Sequence, residues 1–270
     1  MNAYAKINWV LNVLDTRPDG YHEMDMLMQR ISLCDALSIE PAQGIVFDGR
    51  DDNLVVRAAR ALDAHAGGGH GARIQLTKRI PSRAGLGGGS ADAAATLIAL
   101  NERWQLHMPM NDLLGIGLAL GADVPFCLMA NGLMRARGIG EDLSLLGAVP
   151  SHELVILHPG CGLSTPAMFR AWDEEPLHTP PADIEAAACA LQHGDFDALN
   201  GCARNMLHAC AARALPEIDD ALGVLRDAGA AFAAMSGSGS AVFGVFHTAQ
   251  DADAAAAHIG PDAIRAQTIA

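Results

Sequence analysis

Residues 81–95 read P-S-R-A-G-L-G-G-G-S-A-D-A-A-A and set four glycines directly ahead of an alanine- and leucine-rich stretch that ends near Trp104. No other segment restricts the fold as tightly. The chain must pass through a loop free to take positive φ and then enter a helix at once. Gly85, Gly87, Gly88 and Gly89 allow that conformation and let the backbone approach a ligand with no Cβ in the way. The helix predicted over 90–104 turns its first N–H groups and the positive end of its dipole toward the loop. Pro81, Ser82, Arg83, Ala84, Gly85, Leu86, Gly87, Gly88, Gly89, Ser90 and Ala91 therefore form a candidate cradle for phosphate.

Two common phosphate loops are excluded. No lysine follows the glycines as a Walker A loop requires. The preceding residues, Arg73 to Ile80, alternate apolar and polar. That pattern fits a half-solvated antiparallel strand rather than the continuous apolar strand of a dinucleotide-binding fold. Lys78, Arg79 and Arg83 flank the run and supply local positive charge.

The rest of the chain is acidic, with a net charge of −13 over 270 residues, which disfavours nucleic acid and anionic membranes as partners. Half of the residues are hydrophobic, enough for a large core in one or two domains. No run of apolar residues is long enough to span a bilayer, and the first residues lack the pattern of a signal peptide, so a cytoplasmic protein is expected. The six cysteines show no C-x-x-C spacing and the eleven histidines no H-x-x-x-H. They predict reduced, mostly buried thiols and no protein metal site.

Alternating stretches over 5–13, 26–33 and 37–40 predict successive antiparallel strands, followed by a helix over 53–65. A second helix runs from Asn111, as N-cap, to Leu120, with Gly121 as its stop. Phe126–Met129 and Leu133–Arg137 flank Asn131-Gly132 and read as a hairpin. A domain boundary falls near Pro150. Beyond it the pattern gives a strand at 153–158, helices near 182–192, 197–211 and 216–228, strands at 231–235 and 241–247, a helix, and a last strand near 264–268, an α+β arrangement with a plausible ferredoxin-like second half.

Three further segments carry polar groups suited to chemistry. In Ala5-Lys6-Ile7-Asn8, Lys6 and Asn8 share a strand face, although a lone strand lysine also serves to guard a sheet edge. Asp123 in Gly121-Ala122-Asp123-Val124-Pro125 can be a turn former. Its apolar neighbours also suit it to accept a proton. Ser236-Gly237-Ser238-Gly239-Ser240 is either a flexible turn or a second N–H cradle.

The segment P-x-x-x-G-L-G-G-G-S-x-x-A-A resembles the glycine loop of the GHMP kinases, the superfamily of galactokinase, homoserine kinase and mevalonate kinase. The order A-K-I-N, D-G-Y-H, the glycine loop, G-A-D-V-P and S-G-S-G is similar throughout to one family within it, the 4-diphosphocytidyl-2-C-methyl-D-erythritol kinases of the non-mevalonate isoprenoid pathway. Homoserine and phosphomevalonate kinases share the glycine loops but lack the Y-H turn and the A-K-I-N/G-A-D-V-P pairing. The similarity is weakest at 41–72 and 170–230.

The resemblance implies a two-domain GHMP kinase fold. Its ribosomal-protein-S5-domain-2-like half would cover 1–149 and its ferredoxin-like half 150–270, with the active site in the cleft between. It implies ATP with Mg²⁺ as cofactors and phosphorylation of the C2 hydroxyl of a cytidine diphosphate sugar alcohol. Asp123 would take the hydroxyl proton. Lys6 would keep Asp123 ionised and stabilise charge on the attacking oxygen. Loop 81–91 would cradle the ATP phosphates, with Ser90 contacting Mg²⁺ or phosphate. Asn8, Gly237 and Ser238 would line the substrate site. Tyr21 and His22, with Phe169 after the Thr165-Pro166 turn, would hold the cytosine. Arg83 and Ala91 depart from the family pattern. The rival readings are a homoserine or phosphomevalonate type of kinase, or a nucleotide sensor without catalysis.

Overall fold

The computed structural model describes residues 1–129, 131–174 and 180–269. It divides into two compact units, one made of Met1–Ala5, Cys34–Ile80 and Gly87–Ala130, the other of Lys6–Leu33, Pro81–Leu86 and Asn131–Ala270.

The first unit joins a small sheet to four helices. The long strand β2 (His22–Glu40) enters it at Cys34 and pairs antiparallel with β4 (Ala72–Thr77), so that Ile39 faces Ile74. Strand β3 (Ile45–Phe47) adds to β4 in parallel. Helix α1 (Leu54–His65) buries Val55, Val56, Ala59 and Leu62, an i, i+3, i+4 stripe. The Asn53 side chain caps it, accepting the Val55 N–H at 2.9 Å. Helix α2 (Gly88–Arg103) buries Ala91, Ala93, Ala94 and Ala95. Those short side chains let α1 and α4 (Val124–Met129) approach α2 closely.

Helix α3 (Met110–Leu120) begins one residue before the predicted N-cap Asn111. Pro109, in extended backbone, precedes it, and its carbonyl accepts the Asp112 N–H at 3.0 Å. The predicted hairpin across Asn131-Gly132 is also corrected, because Phe126–Met129 lies in α4 rather than in a strand. A short apolar run has no period to separate strand from helix. Pro125, in its first turn, is where a helix tolerates proline.

The second unit holds two sheets' worth of pairings. The first half of β2 pairs with β5 (Leu133–Gly138), which pairs in turn with β6 (Asp142–Gly147). A separate antiparallel sheet has the order β10-β7-β9-β8, from β7 (Glu153–Leu157), β8 (Phe232–Met235), β9 (Val242–Phe246) and β10 (Ile264–Gln267). Helix α9 (Glu217–Asp227) leads into β8, and α10 (Ala249–Ile259) leads into β10. Both pack on this sheet. Numbered within this half alone, the strands run 4-1-3-2, the ferredoxin-like order.

Strand β1 (Asn2–Thr16) carries Trp9 into the core of this unit. Its ring meets Phe243 edge-on at 5.4 Å and His152 at 5.7 Å, and its Nε1 donates to Gln29 at 3.0 Å. Helices α5 (Thr165–Glu174), α6 (Ile184–His193), α7 (Phe196–Cys202) and α8 (His208–Ala214) complete the unit. The single helix predicted over 197–211 is broken into α7 and α8. Between them the chain pairs with β1: Leu11 N–H donates to the Arg204 carbonyl at 2.9 Å and Met206 N–H to Leu11 at 2.9 Å. The strands predicted over 26–33 and 37–40 are one strand, since L-C-D-A-L holds neither Gly nor Pro and its Asp35 accepts the distant Arg79 and Ile80 N–H groups rather than making a local turn.

Candidate active site

Within the second unit, three separated segments converge around Lys6. Its backbone N–H donates to the Leu86 carbonyl at 3.0 Å, joining β1 to the glycine loop. Its Nζ donates to Asn8 Oδ1 at 2.6 Å, and both side chains are buried. The Asn8 N–H donates to Ser236 Oγ at 3.2 Å, and that hydroxyl donates to the Gly85 carbonyl at 3.0 Å. The Ala241 N–H donates to the Ala84 carbonyl at 3.0 Å. Lys6, loop 81–86 and the serine–glycine turn thus form one hydrogen-bonded assembly. Within Ser236-Gly237-Ser238-Gly239-Ser240, the Ser236 and Ser240 hydroxyls and the Gly237 carbonyl are all bonded to distant segments.

Close packing explains the glycines. Gly85 has φ +75°, and a Cβ there would lie 2.0 Å from the Ser236 carbonyl oxygen. A Cβ on Gly237, at φ +56°, would lie 2.8 Å from the Gly85 carbonyl oxygen and 3.1 Å from Lys6 Nζ. Any side chain at either position would push the two loops apart. Arg83 itself takes φ +55°, costly for a residue with a Cβ, and its side chain is exposed. Its carbonyl accepts the Leu163 N–H at 3.2 Å, which ties the loop to the segment before α5. A cavity of about 280 Å³ opens here, lined by Arg83, Gly85, Thr165, Ser238 and Gly239 among others. Thr165 Oγ1 and Ser238 Oγ lie 2.7 Å apart beside it.

His22 begins β2 and is buried, while Tyr21 next to it is exposed. The His22 ring stacks on Phe169 of α5 with centroids 4.7 Å apart and planes 19° apart. Its Nε2 meets Asp173 Oδ1 at 2.7 Å, and Trp172 contacts its edge at 5.7 Å. The structure therefore pairs His22 with Phe169 directly. The Thr165-Pro166 dipeptide, read from sequence as a turn, is the start of helix α5.

In the first unit, Gly87 caps α2 at φ 69°, with no side-chain cap. Gly88, Gly89 and Ser90 form the first turn, so their N–H groups have no partner within the helix. Ala91 is buried and its N–H closes the turn on the Gly87 carbonyl at 2.8 Å. Asp123 is half-buried in the turn between α3 and α4, and its carbonyl accepts the Cys127 N–H at 3.1 Å. Of the apolar neighbours read from sequence, Val124, Phe126 and Cys127 are buried, while Leu118 faces solvent. A Cβ built on Gly121 would lie 4.0 Å from Ser90 Oγ, so this turn adjoins the start of α2.

Sequence reasoning missed several residues that build the site. Asn205 Nδ2 donates to the Met235 and Gly237 carbonyls at 2.9 and 2.8 Å and so fixes the serine–glycine turn. Asp173 orients His22. Asp35 and Asp92 hold Lys78, and only Asp92 left a trace in the sequence, as a charge inside an alanine run that predicts burial.

Comparison with known proteins resolves which family this geometry represents. Residues 53–131 match the GHMP kinases N terminal domain and residues 187–263 the GHMP kinases C terminal. The 4-diphosphocytidyl-2-C-methyl-D-erythritol kinase of Pelotomaculum thermopropionicum is 44% identical over 252 residues, which span 90% of this chain and 87% of that protein. The chain belongs to the 4-diphosphocytidyl-2-C-methyl-D-erythritol kinase family. A crystal structure of a 4-(cytidine 5'-diphospho)-2C-methyl-D-erythritol kinase superposes with a TM-score of 0.87 at 37% identity, covering 100% of this chain and 99% of that one. The L. major mevalonate kinase, at 18% identity and a TM-score of 0.73 over 99% of this chain and 95% of that one, shares the fold alone. The α+β, two-domain GHMP kinase fold expected from sequence is thus the fold of this family member.

Proposed function

We propose that the chain is an ATP-dependent kinase that phosphorylates the C2 hydroxyl of 4-diphosphocytidyl-2-C-methyl-D-erythritol, giving the 2-phosphate, within the non-mevalonate route to isoprenoids. The observation that carries the reading is the buried Lys6–Asn8 pair, held by the glycine loop on one side and the serine–glycine turn on the other. Few roles other than charge stabilisation justify a lysine only 3% exposed.

The proposed division of labour follows from chemistry. Asp123 accepts the proton of the C2 hydroxyl as that oxygen attacks the γ-phosphorus of ATP. The bond from that phosphorus to the bridging oxygen breaks, and ADP leaves. Lys6 offsets charge on the attacking oxygen and the transferred phosphoryl group, and Asn8 orients the ammonium. Loop 81–91 binds the ATP phosphates. The first turn of α2 offers N–H groups with no side-chain cap, which fit a polyanion. Phosphoryl transfer is accelerated chiefly by such positioning and charge neutralisation.

ATP brings Mg²⁺. Among the described residues no group of three His, Cys, Asp or Glu could hold a metal. The ion would be bound largely by phosphate oxygens and water, with Ser90 contacting Mg²⁺ or phosphate. Tyr21, His22 and Phe169 hold the cytosine, and Thr165, Gly237 and Ser238 line the rest of the acceptor site. The functional division is taken at 1–149 and 150–270. Among the described residues no helix is long and apolar enough to cross a membrane. With the acidic charge, this supports a small-molecule enzyme of the cytoplasm that has no nucleic-acid partner.

The test is ATP consumption measured against 4-diphosphocytidyl-2-C-methyl-D-erythritol, homoserine and mevalonate phosphate side by side. The cytidine compound alone is expected to turn over. Asp123→Asn should lower kcat by about 10²–10⁴ with ATP affinity little changed. Preference for either other acceptor, or no turnover with any, overturns the substrate assignment. Near-normal turnover of Asp123→Asn overturns the role of that residue alone.

A further inference from the structure

Beside the glycine loop lies an ion cluster that the proposed reaction does not use. Lys78 follows β4, three residues before the loop begins at Pro81. Its Nζ donates to Asp92 Oδ2 at 2.8 Å, from the second turn of α2, and to Asp35 Oδ2, from β2. The other oxygen of Asp35 accepts the backbone N–H groups of Arg79 and of Ile80, the latter at 2.8 Å. Asp35 is fully buried and Asp92 is 2% exposed.

Asp35 therefore holds the last residues before the loop, Asp92 rides on the helix after it, and Lys78 joins the two. A Cβ built on Gly88 would lie 2.9 Å from Ile80 Cγ2 and 3.4 Å from Lys78 Nζ, so strand end and helix start are in contact here. The arrangement is an expensive one. Two buried carboxylates share one ammonium, and Asp92 Oδ1 is buried with no partner among the described residues. Buried ion clusters of this kind seldom stabilise a fold better than apolar residues would. What hydrogen-bonded charges supply and a greasy contact does not is a fixed register.

We infer that Asp35, Lys78 and Asp92 form a clamp that fixes the two ends of loop 81–87 relative to one another and so presets its N–H groups for the phosphates of ATP. They are positioning residues and touch no reacting atom. The inference rests on the loop being the ATP site, and its experiment has one arm that does not.

That arm is amide hydrogen exchange of the apo protein, comparing peptides covering 81–90 with the β7 strand at 153–157. Lys78→Met should speed exchange in 81–90 by about tenfold or more while 153–157 is unchanged. In calorimetry it should raise Kd for ATP about tenfold, equivalent to losing one preorganised contact. KM for ATP should rise more than kcat falls, and KM for the acceptor alcohol should hold steady. Lys78→Arg, which keeps a cation between the carboxylates, should recover most of the loss. If Lys78→Met does not fold, Asp35→Asn is judged by the same readouts.

Loop exchange unchanged with ATP affinity lost would mean that Lys78 acts directly on nucleotide, and would overturn the clamp. Loop exchange raised with ATP affinity unchanged would overturn the preorganising role. Wild-type protein that binds no ATP would refute the nucleotide reading while leaving the exchange data to decide whether the clamp exists.

Discussion

The carboxyl of Asp92 is pushed up from 3.8 to about 7, mainly by burial, with Asp35 adding repulsion and Lys78 pulling the other way. Moving a carboxyl that far corresponds to about 4 kcal/mol at 1.36 kcal/mol per pH unit. The folded state holds the proton more tightly than the unfolded chain does. The stabilisation is therefore fully present below about 3.8 and is lost as pH rises through about 7. Applying the linkage relation between pH 5 and pH 8 gives a loss of about 2–3 kcal/mol from this one group. Asp92→Asn keeps the shape and can still accept from Lys78, yet it does not titrate. Relative to wild type it should gain about 2–3 kcal/mol of stability on going from pH 5 to pH 8. Urea unfolding followed by circular dichroism at constant ionic strength measures this. The mutant-minus-wild-type difference cancels titrating groups that do not interact with Asp92, including His152, whose pKa burial pulls down. A difference that stays flat across this range, or falls with pH, refutes the view that Asp92 is an under-compensated buried carboxyl.

Two further perturbations probe the second unit. Gly85→Ala puts a Cβ 2.0 Å from the Ser236 carbonyl oxygen at a φ of +75°. It should cost more than the about 1–2 kcal/mol of a left-handed alanine and weaken ATP binding, read by urea unfolding and calorimetry; wild-type values in both would mean the two loops are not locked. Phe169→Ala removes the ring stacked on His22 at 4.7 Å. A lost stacking platform is worth about 1–3 kcal/mol, so KM for the cytidine substrate should rise roughly tenfold or more. KM for ATP should not move, and a rise there instead would take this aromatic group out of the cytosine site.

Much of this was legible in the chain because glycine and alanine patterns report local backbone needs. The glycine loop, the strand before it, the helix after it (which begins at Gly88, two residues earlier than predicted) and the positions of the last four strands follow from residues adjacent in sequence. What was not legible depends on partners far away. The break between α7 and α8 exists because residues 204–206 pair with Leu11, nearly two hundred positions earlier. The V-P-F-C-L-M run carries no period, so only its packing against α2 and α3 decides that it is helix. Lys6 and Asn8 were visible as a polar pair on one strand face. Nothing in the sequence tells that Ser236 would bond both Asn8 and Gly85, or that Asp173 would bond His22.

The distribution of these contacts bears on how the site can work. Loop 81–86 is held by main-chain carbonyls: Arg83 to Leu163, Ala84 to Ala241, Gly85 to Ser236 and Leu86 to Lys6. Four successive carbonyls are thus satisfied by the protein. Lys6 adds its own backbone N–H to the set and is thereby tied to the same loop it would serve. A substitution that disturbs the loop therefore shifts the lysine too. For this reason ATP affinity and turnover should fall together in loop variants, whereas Asp123→Asn should lower turnover with ATP affinity little changed.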